Sequence, residues 1–246
     1  MISAVLAGCC LASAAGCGSF LAQARNGEGV RLFEQQARYH DALREFQEAS
    51  YADPTDPTGY YNQARTYHQL GLTGKDEADL TRAEDMYNLC LDVAEDYPSG
   101  FEARDCYRGL AVLLAQQGRH DEAFRLIEGW ADNRPDDPEA KIELARLCEE
   151  FGNQTEAETH LVDALKAEPH NARALAALGK ISEEKGEPQQ ALRNYQRSLQ
   201  SNRFQEQVAS RVSVLQSTMG APVSTTDSDG RTRLVDKDSG NTSAQR

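Results

Sequence analysis

Gly118, Gly152 and Gly186 stand 34 residues apart, and Ala123, Ala157 and Ala191 repeat the same spacing. A fixed period of that length confines a chain to stacked units, each too small to bury its own apolar face and each completed by its neighbours. In each unit Leu110, Leu144 or Leu178 is followed by a small residue (Ala111, Ala145, Gly179), which lets another helix approach closely. The glycine then ends the first helix, because a residue without Cβ takes the left-handed conformation at little cost. A second helix carries the alanine and, four residues on, Ile127, Leu161 or Tyr195, so that both lie on one face. Pro135 and Pro169 close two of these units, while Asp137-Pro138 and Asp56-Pro57 read as helix starts, an acidic cap before a first-turn proline.

Two earlier units follow the rule more loosely. Phe33, Ala37, Ala42, Phe46, Ala49 and Pro54 outline one, with Gly27 and Gly29 weakening the start of its first helix. The other runs from Tyr60 through Tyr67 to Gly71, but its alanine appears only at Ala83, which implies an insertion around Leu72 to Asp79, and Pro98 is expected to end its long second helix. After Tyr195 and Leu199, Phe204 to Leu215 reads as one more amphipathic helix, the polar-backed cap that a stack of this kind needs. Over about residues 24 to 218 the pattern resembles the tetratricopeptide repeat family. That resemblance implies an all-α solenoid of helical hairpins, about five repeats and a C-terminal capping helix. The expected organisation is a targeting segment over 1–17, a tether over 18–25, the repeats over 26–219 with the insertion near 72–79, and a disordered tail over 220–246. A hydrophobic content of 39% with a single Trp agrees with an all-helical chain.

From Met1 to Ala24 there is no charged side chain, and Ala, Gly, Ser and Leu dominate, a composition that marks a targeting segment. Ala14-Ala15-Gly16-Cys17 and Leu6-Ala7-Gly8-Cys9 both resemble the lipobox of bacterial lipoproteins, in which the cysteine thiol takes a diacylglyceryl group. Cys17 is preferred over Cys9, which leaves too short an apolar core upstream. The resemblance implies a protein held in the cell membrane or outer membrane and facing the periplasm. Gly18, where an aspartate would favour inner-membrane retention, points to the outer membrane. An ordinary cleavage site at Ala12-Ser13-Ala14, an uncleaved membrane helix and a cytosolic chain stay open beside this reading.

The net charge of −13 excludes nucleic acid as a partner. More than half of it lies between Lys75 and Asp105, and Asp76, Glu77, Asp79, Glu84 and Asp85 are expected to form an acidic projection, either a solvated face or a dock for a basic partner. Against it runs a basic row: Arg31 and Arg65, then Arg146 and Lys180, each pair 34 residues apart, with Arg108, Arg173 and Tyr61 nearby. In the resembled family this face of the first helix lines a groove. The row suits either local pairing with Glu34, Glu149, Glu150, Glu183 and Glu184 or the grip of an acidic or C-terminal carboxylate peptide.

Cys90, Cys106 and Cys148 form no C-x-x-C pair and read as buried core residues, with a disulfide possible but unassignable. His40 and His120 precede acids at helix starts. No nucleophile with its base, phosphate loop or metal-ligand spacing appears, so neither catalysis nor a cofactor or metal is expected. The resulting expectation is a membrane-tethered scaffold for a protein or peptide partner in the bacterial envelope. The alternatives are a soluble secreted or periplasmic interaction module and an accessory subunit binding an envelope polymer.

Overall fold

The computed structural model describes residues 3–95, 103–220, 223–226 and 232–235. Two compact units divide the chain, Met1–Arg134 and Pro135–Arg246. The first holds α1 (Ser3–Gln36), α2 (Tyr39–Ala52), α3 (Pro57–Gly74), α4 (Glu77–Glu95), α5 (Arg104–Gln116) and α6 (His120–Asn133). The second holds α7 (Pro138–Glu150), α8 (Gln154–Ala167), α9 (Ala172–Glu184), α10 (Pro188–Ser201) and α11 (Glu206–Gly220), followed by β1 (Val223–Thr226) and β2 (Thr232–Val235). Consecutive helices pair as α1–α2, α3–α4, α5–α6, α7–α8 and α9–α10, which is the all-α repeat architecture expected from the period.

The turn within each of the last three pairs is one hydrogen-bonded motif used three times. Gly118, Gly152 and Gly186 adopt φ of 75°, 80° and 74°. Beside each glycine, the following N–H reaches back to the end of the first helix: Arg119 to the Leu114 carbonyl at 2.9 Å, Asn153 to Cys148 at 2.7 Å, Glu187 to Ser182 at 2.8 Å. These bonds occupy carbonyls that the helix end would leave unpaired. A Cβ at any of the three glycines would meet open space, so the backbone angle alone demands glycine there. Ala123, Ala157 and Ala191 are fully buried, as are Ile127 and Leu161. Asp56 and Asp137 cap α3 and α7 by accepting from the N–H groups of Thr58 (2.9 Å) and Glu139 (3.0 Å). Asn171 does the same for α9 through Ala174 at 3.0 Å.

Several expectations change. Residues 18–25 are no tether: α1 is one helix of 34 residues from Ser3 to Gln36. Ala22 is fully buried, Arg25 pairs with Glu45 at 2.8 Å, and a Cβ on Gly18 would lie 2.6 Å from the Ala52 carbonyl oxygen. Gly29 does not weaken the helix start; it lets α1 approach α2, since a Cβ there would lie 2.4 Å from the Phe46 ring. Gly71 does not end α3 either. It packs on Leu80, and the helix runs one turn further until Lys75 adopts φ 53° and turns the chain. The extra residues therefore lengthen helices instead of forming a separate loop: α3 and α4 have 18 and 19 residues, whereas α5 to α10 have 13 or 14.

Cys90 and Cys106 are bonded, tying α4 to α5 across 16 positions, while Cys148 is free and buried. The capping helix exists and buries Leu215 against Ala191 and Tyr195. It begins at Glu206, however, and Phe204 is 96% exposed. The segment expected as a disordered tail holds an antiparallel pair, Val223 opposite Val235 and Thr226 opposite Thr232, where β-branched residues favour extended backbone. Pro98 and the side chains of Cys9 and Cys17 lie outside the described residues.

Candidate peptide-binding faces

The first helix of each pair carries the expected basic row, and the two units are built differently around it. In the first unit Arg65 sits over the Phe33 ring at 4.5 Å and near the Tyr61 ring at 6.0 Å, with Glu34 3.5 Å away. Burial pushes the Tyr61 hydroxyl up, with Asp105 adding to the shift and Arg65 and Arg108 opposing it. The fold thus gathers Tyr61, Arg65 and Arg108 from α3 and α5. Arg108 also bonds Asp105 at 3.0 Å, whereas Arg31 pairs within α1 through Nε to Glu28 at 2.9 Å. Behind this face Tyr87 is buried, and desolvation holds its hydroxyl far above the ordinary tyrosine range.

In the second unit the bases are bound into a carboxylate network. Arg146 donates from Nε to Glu143 at 2.8 Å and from Nη1 to Glu150 at 3.0 Å. Arg173 donates from Nη2 to the other oxygen of Glu143 at 2.8 Å and from Nη1 to Glu139. Glu143 is wholly buried, and a carboxylate taken out of water is tolerated only when paired and hydrogen-bonded. Arg146 and Arg173 together meet that requirement and bind α9 to α7. Lys180 reaches Glu149 at 3.1 Å and Glu184 at 3.8 Å. The row is therefore no band of uncommitted positive charge. Sequence reasoning missed Glu139 and Glu143 because it looked only downstream of each base; the partners lie three residues upstream or on the adjacent repeat.

The acidic stretch is likewise distributed along a helix. Asp76 accepts from the Ala78 N–H at 2.9 Å at the start of α4, Asp79 pairs with Arg82 at 2.7 Å, and Glu77 and Asp85 are exposed. Glu84 receives two bonds from Arg119, at 2.6 and 2.9 Å, which link α4 to the turn before α6.

Among the described residues, two cavities open in the second unit. One, of about 680 Å³, lies along α8 and α10 beside Val162, Leu165 and Arg193. The other, of about 1070 Å³, lies between α9 and the capping helix α11, with Ala176, Ala177, Tyr195 and Val208 along it. Among the described residues there is no group of three or more His, Cys, Asp or Glu placed to hold a metal, and no helix long and apolar enough to cross a membrane.

Family models described as tetratricopeptide repeat match residues 60–97 and 114–181. Among curated proteins, the human protein O-mannosyl-transferase TMTC3 is 27% identical over 173 residues, covering 69% of this chain and 19% of that protein. Human TMTC1 is 27% identical over 177 residues, covering 69% and 18%. The chain thus spans about a fifth of the length of these relatives, and the transferase activity in their names is said of them. Among solved structures, a thermophilic TPR protein of Thermus thermophilus superimposes with a TM-score of 0.57 at 22% identity, over 79% of this chain and 98% of that one. Pseudomonas aeruginosa pilF gives 0.54 at 14% identity, over 82% and 86%. At these identities the likeness is one of fold.

Proposed function

Since the chain carries tetratricopeptide repeats, we propose that it is a non-catalytic scaffold holding a protein or peptide partner at a bacterial envelope membrane, anchored by lipid on Cys17. What supports the anchor is the lipobox-like Ala14-Ala15-Gly16-Cys17 in an uncharged stretch that runs to Ala24. Gly18 and Gly29 of α1 pack against α2. Processing at Cys17 would leave the acylated residue directly beside a packed helix pair, with no slack. Phe20 (76% exposed), Leu21 (48%) and Tyr51 (81%) lie near the end where Gly18 meets Ala52, and exposed aromatic and aliphatic side chains there suit an interfacial bilayer environment. The Cys90–Cys106 bond supports an oxidising compartment such as the periplasm.

The binding role rests on the open faces of the first helices, where Tyr61, Arg65 and Arg108 in one unit and Arg146, Arg173 and Lys180 in the other are held in fixed positions by carboxylates and rings. A side chain already immobilised loses less entropy when a ligand arrives.

Metabolic labelling with an azido-palmitate analogue tests the anchor. Label is expected on the wild type and absent from Cys17→Ala; label surviving that change, or none on the wild type, rejects it. Crosslinking in the native envelope tests the scaffold, with recovery of a discrete partner expected from the wild type and lost on combining Arg65→Glu, Arg146→Glu and Lys180→Glu. Partner recovery unaltered by these changes counts against the basic row.

A further inference from the structure

The crevice between α9 and α11 differs in charge from the basic row. Lys180 is occupied by Glu149 and Glu184, and Arg211 by Glu183, through Nε at 3.1 Å and through Nη2. Glu206, in the first turn of α11, has no ion pair among the described residues. Four carboxylates thus face two bases, and the crevice carries an acidic excess. Its apolar part comes from Ala176 and Ala177, whose small side chains leave room above α9, and from the Tyr195 ring and Val208. At about 1070 Å³ it reaches the upper limit of small-ligand pockets, roughly 300–1,000 Å³, a size that suits a chain segment better than a compact molecule.

We propose that this crevice receives a short segment of a partner protein that presents an apolar side chain next to a lysine or arginine. The apolar group lies over Ala176 and Ala177 against Tyr195, and the cation meets Glu184 and Glu206. The proposal rests on the scaffold reading above and names the chemistry of what is bound. Charge complementarity decides the choice: an acidic segment would meet carboxylates whose cations are already taken, and like charges brought together in a partly desolvated site cost affinity. The chain's own residues 221–246 contain Arg231, Arg233, Lys237 and Arg246 and are the competing occupant.

Fluorescence anisotropy with the full chain and a labelled peptide alternating leucine and lysine, beside one alternating leucine and glutamate, tests this. The leucine–lysine peptide is expected to bind, and Glu184→Lys with Glu206→Lys to weaken it by about tenfold or more, as loss of two opposed charges at a partly buried site should. Ala177→Trp, which fills the crevice without altering charge, is expected to block binding. Glu128→Lys with Asp132→Lys, the same charge change on exposed positions of α6, is expected to change it by less than about twofold, the range of screened surface charges. Equal loss from the two charge variants, equal binding of the glutamate peptide, or a large gain on deleting residues 221–246 would each overturn the proposal. Envelope crosslinking separates it from the reading beneath: a partner recovered equally by wild type and Ala177→Trp sinks the crevice alone, whereas no partner at all sinks the scaffold.

Discussion

The helix pairs α3–α4 and α9–α10 obey one plan with different means. In α9–α10 the turn is made by Gly186, both helices have the common length, and Gly179 lets α9 approach so closely that a Cβ there would lie 2.5 Å from the Tyr195 ring. In α3–α4 the turn is made by Lys75 at φ 53°, and both helices are longer. Among the described residues this pair has devices that the other lacks: Tyr87 of α4 packs between Tyr61 (6.4 Å) and His68 (6.3 Å) of α3, and the Cys90–Cys106 disulfide ties α4 onward to α5. The difference teaches that a repeat can depart from its period when covalent and aromatic contacts replace the stabilisation that the regular turn supplies.

Removing those replacements should have the largest effect. Cys106→Ser, or reduction of the wild type, frees a 16-residue separation, which by loop-closure entropy is worth about 3 kcal/mol. Hydrogen exchange should show α4 and α5 losing protection while α7 to α10 keep theirs; loss spread evenly over all helices would break the contrast between the two pairs. Next comes the regular turn. Gly186→Val should cost about 1–2 kcal/mol, the penalty of a left-handed residue bearing Cβ, whereas Gly186→Asn should cost less because the site has space and asparagine tolerates that angle. Equal costs would mean that space, not φ, is what the turn requires. The irregular turn should respond in the opposite sense. Lys75→Gly relieves a strained φ and should raise stability by about 0.5–1 kcal/mol, the left-handed penalty less the entropy cost of glycine, measurable as a higher Tm.

What the sequence disclosed follows the same division. Where a residue type has one physical reason to be present, as with Gly118, Gly152 and Gly186 at positive φ or Ala123, Ala157 and Ala191 under a neighbouring helix, the period sufficed to place it. Gly71 and Gly29 have another reason, close approach to Leu80 and Phe46, and glycine alone does not say which reason applies. Lys75 carries no signal for a left-handed angle, so the turn was expected elsewhere. The pairing of Cys90 with Cys106 depends on how α4 meets α5, and spacing along the chain does not contain that. At the candidate site the bases were legible, but their partners were not: Glu143 lies three residues upstream of Arg146, on the side not considered, and Glu139 and Glu143 come near Arg173 of the next repeat only after the helices have packed.

The smallest expected effect concerns the closing edge of the second unit, where Glu183 accepts from Arg211 and from the Tyr195 hydroxyl at 3.2 Å. Arg211, chiefly through its hydrogen bond, holds the Glu183 carboxyl below its ordinary range, and desolvation with the Glu183 charge pushes Tyr195 up to about 12. A carboxylate whose pKa is lower in the folded chain stabilises the fold at pH above its unfolded value. That contribution fades as acid protonates it through its folded value. Arg211→Ala should therefore lower the Tm at pH 7, and the deficit should shrink as the pH falls and Glu183 becomes protonated. The α3–α4 pair should show no such dependence on Arg211. A deficit that does not shrink with falling pH would mean that Arg211 stabilises α11 through its packed stem instead of its charge.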